Sequence, residues 1–523
     1  VLTKSLNNYW PHAFAFLSLM FLNSCASKPS EDALWTELDQ QVLLEGLEGL
    51  NDYYVEDVSL KELSLNGIRA VIAPDPDLSV TFTENKLTLY SSDEDIHKVH
   101  FNQIDLKYPA SWAKAGYDII RVAQKTSILL QNKSPDHQLT IYMTAMIREL
   151  DRFTRYASPQ EALAIQQNRD GFGGVGITIE KRSATTHIAT IEEGSPAANS
   201  RLQVGDRLIS VDGITLNSLG IDEVYTLIRG PINRQVRLEV LHEDMGPESF
   251  SINLIRSKIS PNTVFYDANL LYPIIRISSF NNSTAVRMAE AIARAKDYSG
   301  DQLKGIILDL RGNPGGLLQE AIDAADLLLD HGIMSQTRGR NPLSFQKFEA
   351  EPGNILGDIP LIILVDGATA SAAEILAAGL QDQKRAVIVG AISYGKGTVQ
   401  NVVPLSNNGE LQLTWARYLA PNNYHLQDYG VLPNICTVDQ ENGIAAVLKT
   451  LRAHPDQSRL DFINFKRMQF DLDGDLDRFR NSCLWDGTNR GEADPDIEAA
   501  KTLLSNPDLY EDALAISYIS PNG

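Results

Sequence analysis

The sequence predicts a multidomain α/β protein on three observations. Between Gly305 and Gln400, short apolar runs (Gly305–Leu310, Leu361–Val365) each end in a turn and pass into a segment of helical spacing, the pattern of buried parallel strands in an α/β sheet. Upstream, residues 171–230 read as β-rich with glycine turns, and both ends of 31–168 carry apolar positions at helical spacing. At 523 residues, 43% hydrophobic and 22% charged, the chain has room for several globular domains. The 46 basic against 67 acidic residues give a net charge of −21, which argues against nucleic-acid binding and broad adhesion to anionic lipid.

The amino end has Lys4, an apolar run Ala13–Leu22 too short to span a bilayer, then Leu22-Asn23-Ser24-Cys25. It resembles a bacterial lipoprotein signal, a conventional signal peptide being the alternative. The resemblance implies that residues 1–24 are removed, that Cys25 is lipidated, and that Ala26 sorts the protein to an outer membrane, facing the periplasm. Residues 25–168 are expected to form a mainly helical N-terminal region with an unmatched insertion at about 73–141. That insertion contains the strand-like Leu87–Tyr90 and an amphipathic run near Tyr117–Leu130; it could be a lid, a partner surface or a dimer contact.

From 169 to 257 a domain of β character is expected. Its Gly173-Gly174-Val175-Gly176-Ile177 turn is followed by Gly194-Ser-Pro-Ala, Val204-Gly-Asp-Arg-Leu-Ile-Ser-Val-Asp-Gly and a helix ending Leu227-Ile-Arg-Gly. In that order the pieces resemble a PDZ domain, although Ser200-Arg201-Leu202 replaces the more usual Ala-Gly-Leu. The resemblance implies that backbone N–H groups of Gly173–Gly176 hold a chain-terminal carboxylate and that Ile177–Ile179 form the edge strand that pairs with the incoming peptide.

The α/β core is expected over 258–436. In Ile359–Gln400, Asp366-Gly367 stops a strand, and Ser371 falls at the corner where helical spacing begins. A helix start directs free N–H groups and positive dipole at whatever lies there. Ser371-Ala-Ala-Glu374 is also a capping box, so the serine could simply cap the helix. Lys396 follows in a glycine-flanked loop, and no histidine lies between Gly332 and Tyr424. Where imidazole is absent, a desolvated lysine can serve a hydroxyl nucleophile as base; an ordinary solvated lysine is the plain alternative. Gly390 to Lys396 also match the start of a phosphate-binding loop, but Gly397 stands where Ser or Thr should ligate magnesium. A Ser-x-x-Lys acyltransferase site is excluded because the residue three after Ser371 is Glu374.

Together, Asp309-Leu-Arg-Gly-Asn-Pro-Gly-Gly316, Ser371-Ala-Ala-Glu374 and Gly395-Lys-Gly-Thr-Val-Gln400 resemble, in order and spacing, the C-terminal processing (tail-specific) serine peptidases. Pro273–Phe280, Leu411–Pro421 and Gly430–Pro433 add to the match. The resemblance implies an endopeptidase with an α/β Ser-Lys core and an inserted PDZ β-sandwich. Ser371 would be nucleophile, Lys396 base, and Gln400 the residue orienting the amine. Backbone N–H groups of Ala372 and of Gly315 or Gly316 would form the oxyanion site. Glu374 is left between capping and catalysis. Thr369 stands where the family often has serine. Expected partners are proteins with free apolar C-termini and, through the lipid, a membrane; a homo-oligomer or an adaptor is left open. The alternative is an inactive lipid-anchored peptide-binding scaffold.

Residues 437–523 form a C-terminal extension. Cys436 and Cys483 could pair in an oxidising compartment. Asp471–Asp477 lacks the glycine and glutamate positions of a calcium loop. His97/His100 is the only close histidine pair, and His242-Glu243 lacks a second histidine. No metal or other cofactor is expected.

Overall fold

The computed structural model describes residues 34–516 apart from 92–97, 102–103, 243–245, 247, 424 and most of 439–493. The signal segment with Cys25, His97 and the acidic run Asp471–Asp477 lie outside the described residues.

The N-terminal unit is built on the helices Glu37–Tyr53, Leu60–Ile72, Pro109–Thr126 and Pro135–Ile147. Val42, Leu43, Leu47 and Leu50 recur at helical spacing and are all buried. The expected insertion folds as a three-stranded antiparallel sheet (Leu78–Thr83, Lys86–Ser91, Lys98–Phe101) followed by the third helix. Its Leu87, Leu89, Trp112, Ile119 and Ile120 share one core with Leu43, Leu47 and Ile68. These core residues of the 73–141 stretch are therefore part of the unit. The amphipathic run is broken at Ser127, which leaves helical geometry and caps the next short helix through Leu130 N–H.

The second unit is a six-stranded sheet whose main path runs Ser249–Ile255, Gln235–Leu241, Arg207–Val211, Thr185–Ile191, Ile177–Arg182. Val236, Leu238 and Val240 alternate inward, as a one-faced sheet requires. The strand Ile177–Arg182 is the edge, with the helix Ile221–Ile228 beside it. A neck of two antiparallel strands, Phe172–Gly174 and Ser257–Ile259, closes the unit at both chain crossings.

The third unit holds a six-stranded sheet ordered Val264–Asp267, Ile274–Ile277, Ile306–Asp309, Leu361–Val365, Val387–Gly390, Ile435–Cys436. The first pair is antiparallel and the rest parallel. Every residue of Ile306–Asp309 and Leu361–Val365 is buried, as strands covered on both faces must be. The hairpin Thr398–Pro404/Glu410–Leu419 heads a second sheet, which also takes in Arg155–Ala157. Leu405, Leu411 and Leu413 of this hairpin sit in the N-terminal core, so the loop between Gly390 and Thr398 is fixed from two sides. At the chain end, Ala499, Leu503 and Ala513 of the helices Pro495–Leu504 and Pro507–Ile516 join the main core. Cys436 and Cys483 are joined in a disulfide.

Candidate active site

Ser371 owes its position to two strand ends being fastened together. Where the strand Leu361–Val365 stops, Asp366 Oδ1 accepts N–H bonds from Gly312, Ala368 and Thr369, each at 3.0 Å. The Thr369 hydroxyl donates to Leu310 C=O at 2.9 Å and accepts from Asp366 N–H at 3.0 Å. It is thus a fastener between strand ends. Ser371 follows at φ 57°, ψ −119° and 8% exposure, as N-cap of the helix Ala372–Asp382. Such a backbone is costly for any side chain, and it recurs where a group must be held at a sharp strand-to-helix corner.

The N–H of Ala372, first residue of that helix, has no partner among the described residues, and neither has that of Gly316. Gly315 cannot be the second donor of an oxyanion site in this arrangement: its N–H donates to Asn313 Oδ1 at 2.8 Å. The expected choice between Gly315 and Gly316 therefore falls to Gly316. Gly315 instead supplies close approach. At φ 100°, a Cβ there would stand 2.8 Å from Ser371 Cβ and 3.0 Å from Ala372 N, so only glycine lets the Asn313–Gly316 turn press on the Ser371 corner.

Glu374 joins the two halves of the site. It is 0% exposed, and its carboxylate accepts from Ser371 N–H at 2.7 Å, Ser393 Oγ at 2.5 Å, Gly395 N–H at 2.7 Å and Lys396 N–H at 2.9 Å. Burial pushes its pKa up, against the four donors that favour the ionised form. The Ser371 N–H contact is one half of a capping box; the other three bonds reach the lysine loop, far away in sequence.

Lys396 is half-buried. Burial and then the Arg155 charge lower its pKa below the ordinary lysine value, while Glu374 and Asp151 act the other way. Its Nζ stands 4.9 Å from the centroid of the Phe153 ring and makes no hydrogen bond to the Ser371 hydroxyl. Gln400 Nε2 donates to Thr398 Oγ1 at 3.0 Å and Thr414 Oγ1 at 3.3 Å; the expected contact with the lysine amine is not formed. Beside it, burial raises the Asp151 pKa, but hydrogen bonds from Thr154, Phe153 and Thr414 prevail and hold the carboxyl below its usual range. Asp151, Phe153, Ser393 and Asn313 are site residues that the sequence reading did not assign.

In the second unit, Gly173 and Gly174 are engaged in the neck, opposite Lys258 and Ser257. The N–H groups of Val175 and Gly176 have no partner among the described residues, while the two C=O groups accept from Ala197 and Glu192. Of the residues expected to form a carboxylate loop, Gly173–Ile177, Val175 and Gly176 are therefore the ones that present free N–H groups. On the open edge, Ile179 N–H donates to the Tyr225 hydroxyl at 3.0 Å. One turn on, the Arg229 guanidinium lies 4.0 Å from the Phe172 ring centroid and 5.2 Å from that of Tyr225. Among the described residues no group of three or more His, Cys, Asp or Glu side chains is placed to hold a metal.

Comparison with known proteins gives the family. The model of peptidase family S41 matches residues 272–437 and that of a PDZ domain matches 187–241. The carboxy-terminal-processing protease of Bartonella bacilliformis is 33% identical over 308 residues, covering 58% of this chain and 70% of the relative. The carboxyl-terminal-processing protease of Synechocystis sp. is 34% identical over 297 residues, covering 55% and 68%. A solved photosystem II D1 C-terminal processing protease is 22% identical with a TM-score of 0.38, covering 76% of this chain and 92% of that one. The chain belongs to peptidase family S41, with the carboxy-terminal-processing proteases, and is a serine-type hydrolase.

Proposed function

We propose that the protein is an endopeptidase that cuts exported proteins near their C-termini, with Ser371 as nucleophile and Lys396 as base, and that its PDZ unit captures the free apolar tail. The observation that carries the reading is the buried Glu374 carboxylate, which holds the backbone N–H of both Ser371 and Lys396. A serine that merely capped its helix would not need its capping partner shared with a second, glycine-flanked loop.

The chemistry follows from these groups. Neutral Lys396 takes the proton as Ser371 Oγ attacks the scissile carbonyl carbon, and the oxyanion forms against the N–H groups of Ala372 and Gly316. The protonated amine then gives its proton to the leaving nitrogen as the C–N bond breaks. Water hydrolyses the acyl-enzyme by the same route in reverse. For the base to act near neutrality, its pKa must lie well below the ordinary lysine value of about 10.4, and burial works in that direction. The tail would add to the edge strand Ile177–Arg182, with its carboxylate on the free N–H groups of Val175 and Gly176.

The test uses the chain without residues 1–25, together with Ser371→Ala and Lys396→Ala, on unstructured substrates with apolar or charged tails. The parent alone should cut, apolar tails should be preferred, and amidating the C-terminus should sharply reduce cleavage. A parent that binds tails and cuts nothing would leave the scaffold reading instead. On the sequence of its first 25 residues, we place the protein on the periplasmic face of an outer membrane. Incorporation of labelled palmitate in cells should then be lost in Cys25→Ala.

A further inference from the structure

Arg311 lies two residues before Asn313, and its guanidinium draws on both ends of the unit. Nε and Nη2 donate to Asp309 at 2.9 and 2.8 Å. Nη1 donates to both oxygens of Asp494 at 3.0 and 2.8 Å, and to Asp496 Oδ2 at 2.9 Å. Asp496 is 0% exposed, and its other oxygen accepts from the Thr437 hydroxyl. Asp494 caps the helix Pro495–Leu504, accepting from the N–H groups of Asp496 and Ile497. Both carboxylates lie outside residues 272–437, where the peptidase model matches.

From this clamp a short path leads to the chemistry. Asn313, 0% exposed, takes the Gly315 N–H on its side chain and the Ala370 N–H at 2.8 Å on its C=O. Gly315 abuts Ser371, and Gly316 carries the free N–H. The extension also touches the other half of the site. Cys483 C=O accepts from Ile392 N–H at 3.0 Å, and its disulfide partner Cys436 pairs with Gly390. Lys396 follows in the loop that starts there.

We propose that the C-terminal extension completes the active site. Asp494 and Asp496 are positioning residues that fix the oxyanion turn through Arg311, and the Cys436–Cys483 bridge fixes the start of the lysine loop to the same extension. A charge-assisted, multidentate clamp of this kind sets direction as well as distance, and an oxyanion donor is worth most when it is held before charge develops. The proposal rests on Ser371 as nucleophile.

The experiment takes the full mature chain and makes Asp494→Asn, Asp496→Asn and the double variant, each of which keeps side-chain volume while removing charge. kcat and KM are read on a tail-bearing peptide, together with inhibition by a peptide boronate, which forms a tetrahedral adduct on a nucleophilic serine. Tail binding is read in a Ser371→Ala background. We expect kcat to fall about 10- to 100-fold in the double variant and boronate affinity to fall by a similar factor. KM and tail binding should move less than about threefold. Reducing the disulfide of the parent should lower kcat in the same sense, which provides a second reading should Asp496→Asn fold poorly. The proposal is overturned if the double variant keeps kcat within about twofold, or if kcat falls only in proportion to the fraction unfolded at the assay temperature. Cleavage that persists in Ser371→Ala would instead refute the nucleophile assignment.

Discussion

At Ser371 the backbone holds φ 57°, which a Cβ resists by about 1–3 kcal/mol. Glycine at this position removes that strain and alanine does not. Ser371→Gly should therefore melt higher than Ser371→Ala by an amount equivalent to about 1 kcal/mol, with both inactive; equal midpoints would mean that the corner is unstrained. Lys396 gives a pH prediction whose sign follows from its environment. Burial and Arg155 lower its pKa, so its neutral, base-competent fraction grows as pH rises. kcat/KM should thus climb along a limb with its midpoint below the ordinary lysine value of about 10.4. Arg155→Gln removes one of the two influences that favour the neutral amine and should move the limb toward alkaline pH, whereas Arg155→Lys should leave it in place. A limb that ignores Arg155 would point to a different base. Glu374→Ala would strand the buried N–H groups of Ser371, Gly395 and Lys396, at about 1–3 kcal/mol each, so it should lose both activity and stability.

Among the elements, the three motif-bearing corners were legible in the sequence because each is local. In two of them a strand end, a glycine-bearing turn and a helix start lie within a few residues, in the third a glycine-flanked loop joins two strands, and their spacing announces them. The partners of those corners were not legible. Asn313 taking the Gly315 N–H, Phe153 standing over the lysine amine, and Gln400 turning to Thr398 and Thr414 depend on how distant segments approach. The insertion is a similar case: alternation exposed the strand at Leu87–Tyr90, but only packing shows that Leu87 and Trp112 complete the N-terminal core. The PDZ groove yields a prediction at this scale. The Tyr225 hydroxyl occupies the Ile179 N–H on the edge strand, a donor that an added peptide strand would need for its own carbonyl. Tyr225→Phe removes the competitor, and one net hydrogen bond of about 0.5–1.5 kcal/mol corresponds to about 2- to 10-fold in affinity. Titration of tail peptides should therefore show tighter binding in Tyr225→Phe. Weaker binding would mean that the hydroxyl contacts the ligand itself.

For the whole molecule, the architecture places the lysine half of the site between two bodies. The lysine loop runs from the main sheet to a hairpin whose apolar face is buried in the N-terminal unit. The PDZ unit is joined to the peptidase core by its two-stranded neck and by an Arg287–Glu192 ion pair. The net charge of −21 acts on every encounter with a substrate. Long-range charge of this size repels acidic proteins and attracts basic ones, which changes association rates more than the bound complex. Two unfolded substrates with the same apolar tail, one basic and one acidic, should thus differ in kcat/KM at low ionic strength, with the basic one faster. Raising salt from about 20 mM to about 300 mM shortens the screening length from roughly 20 Å to under 10 Å. The basic substrate should slow and the acidic one quicken until the two converge, while kcat for both stays nearly constant. Parallel salt curves for the two would locate selectivity wholly in the tail groove and leave the surface charge without a part in substrate choice.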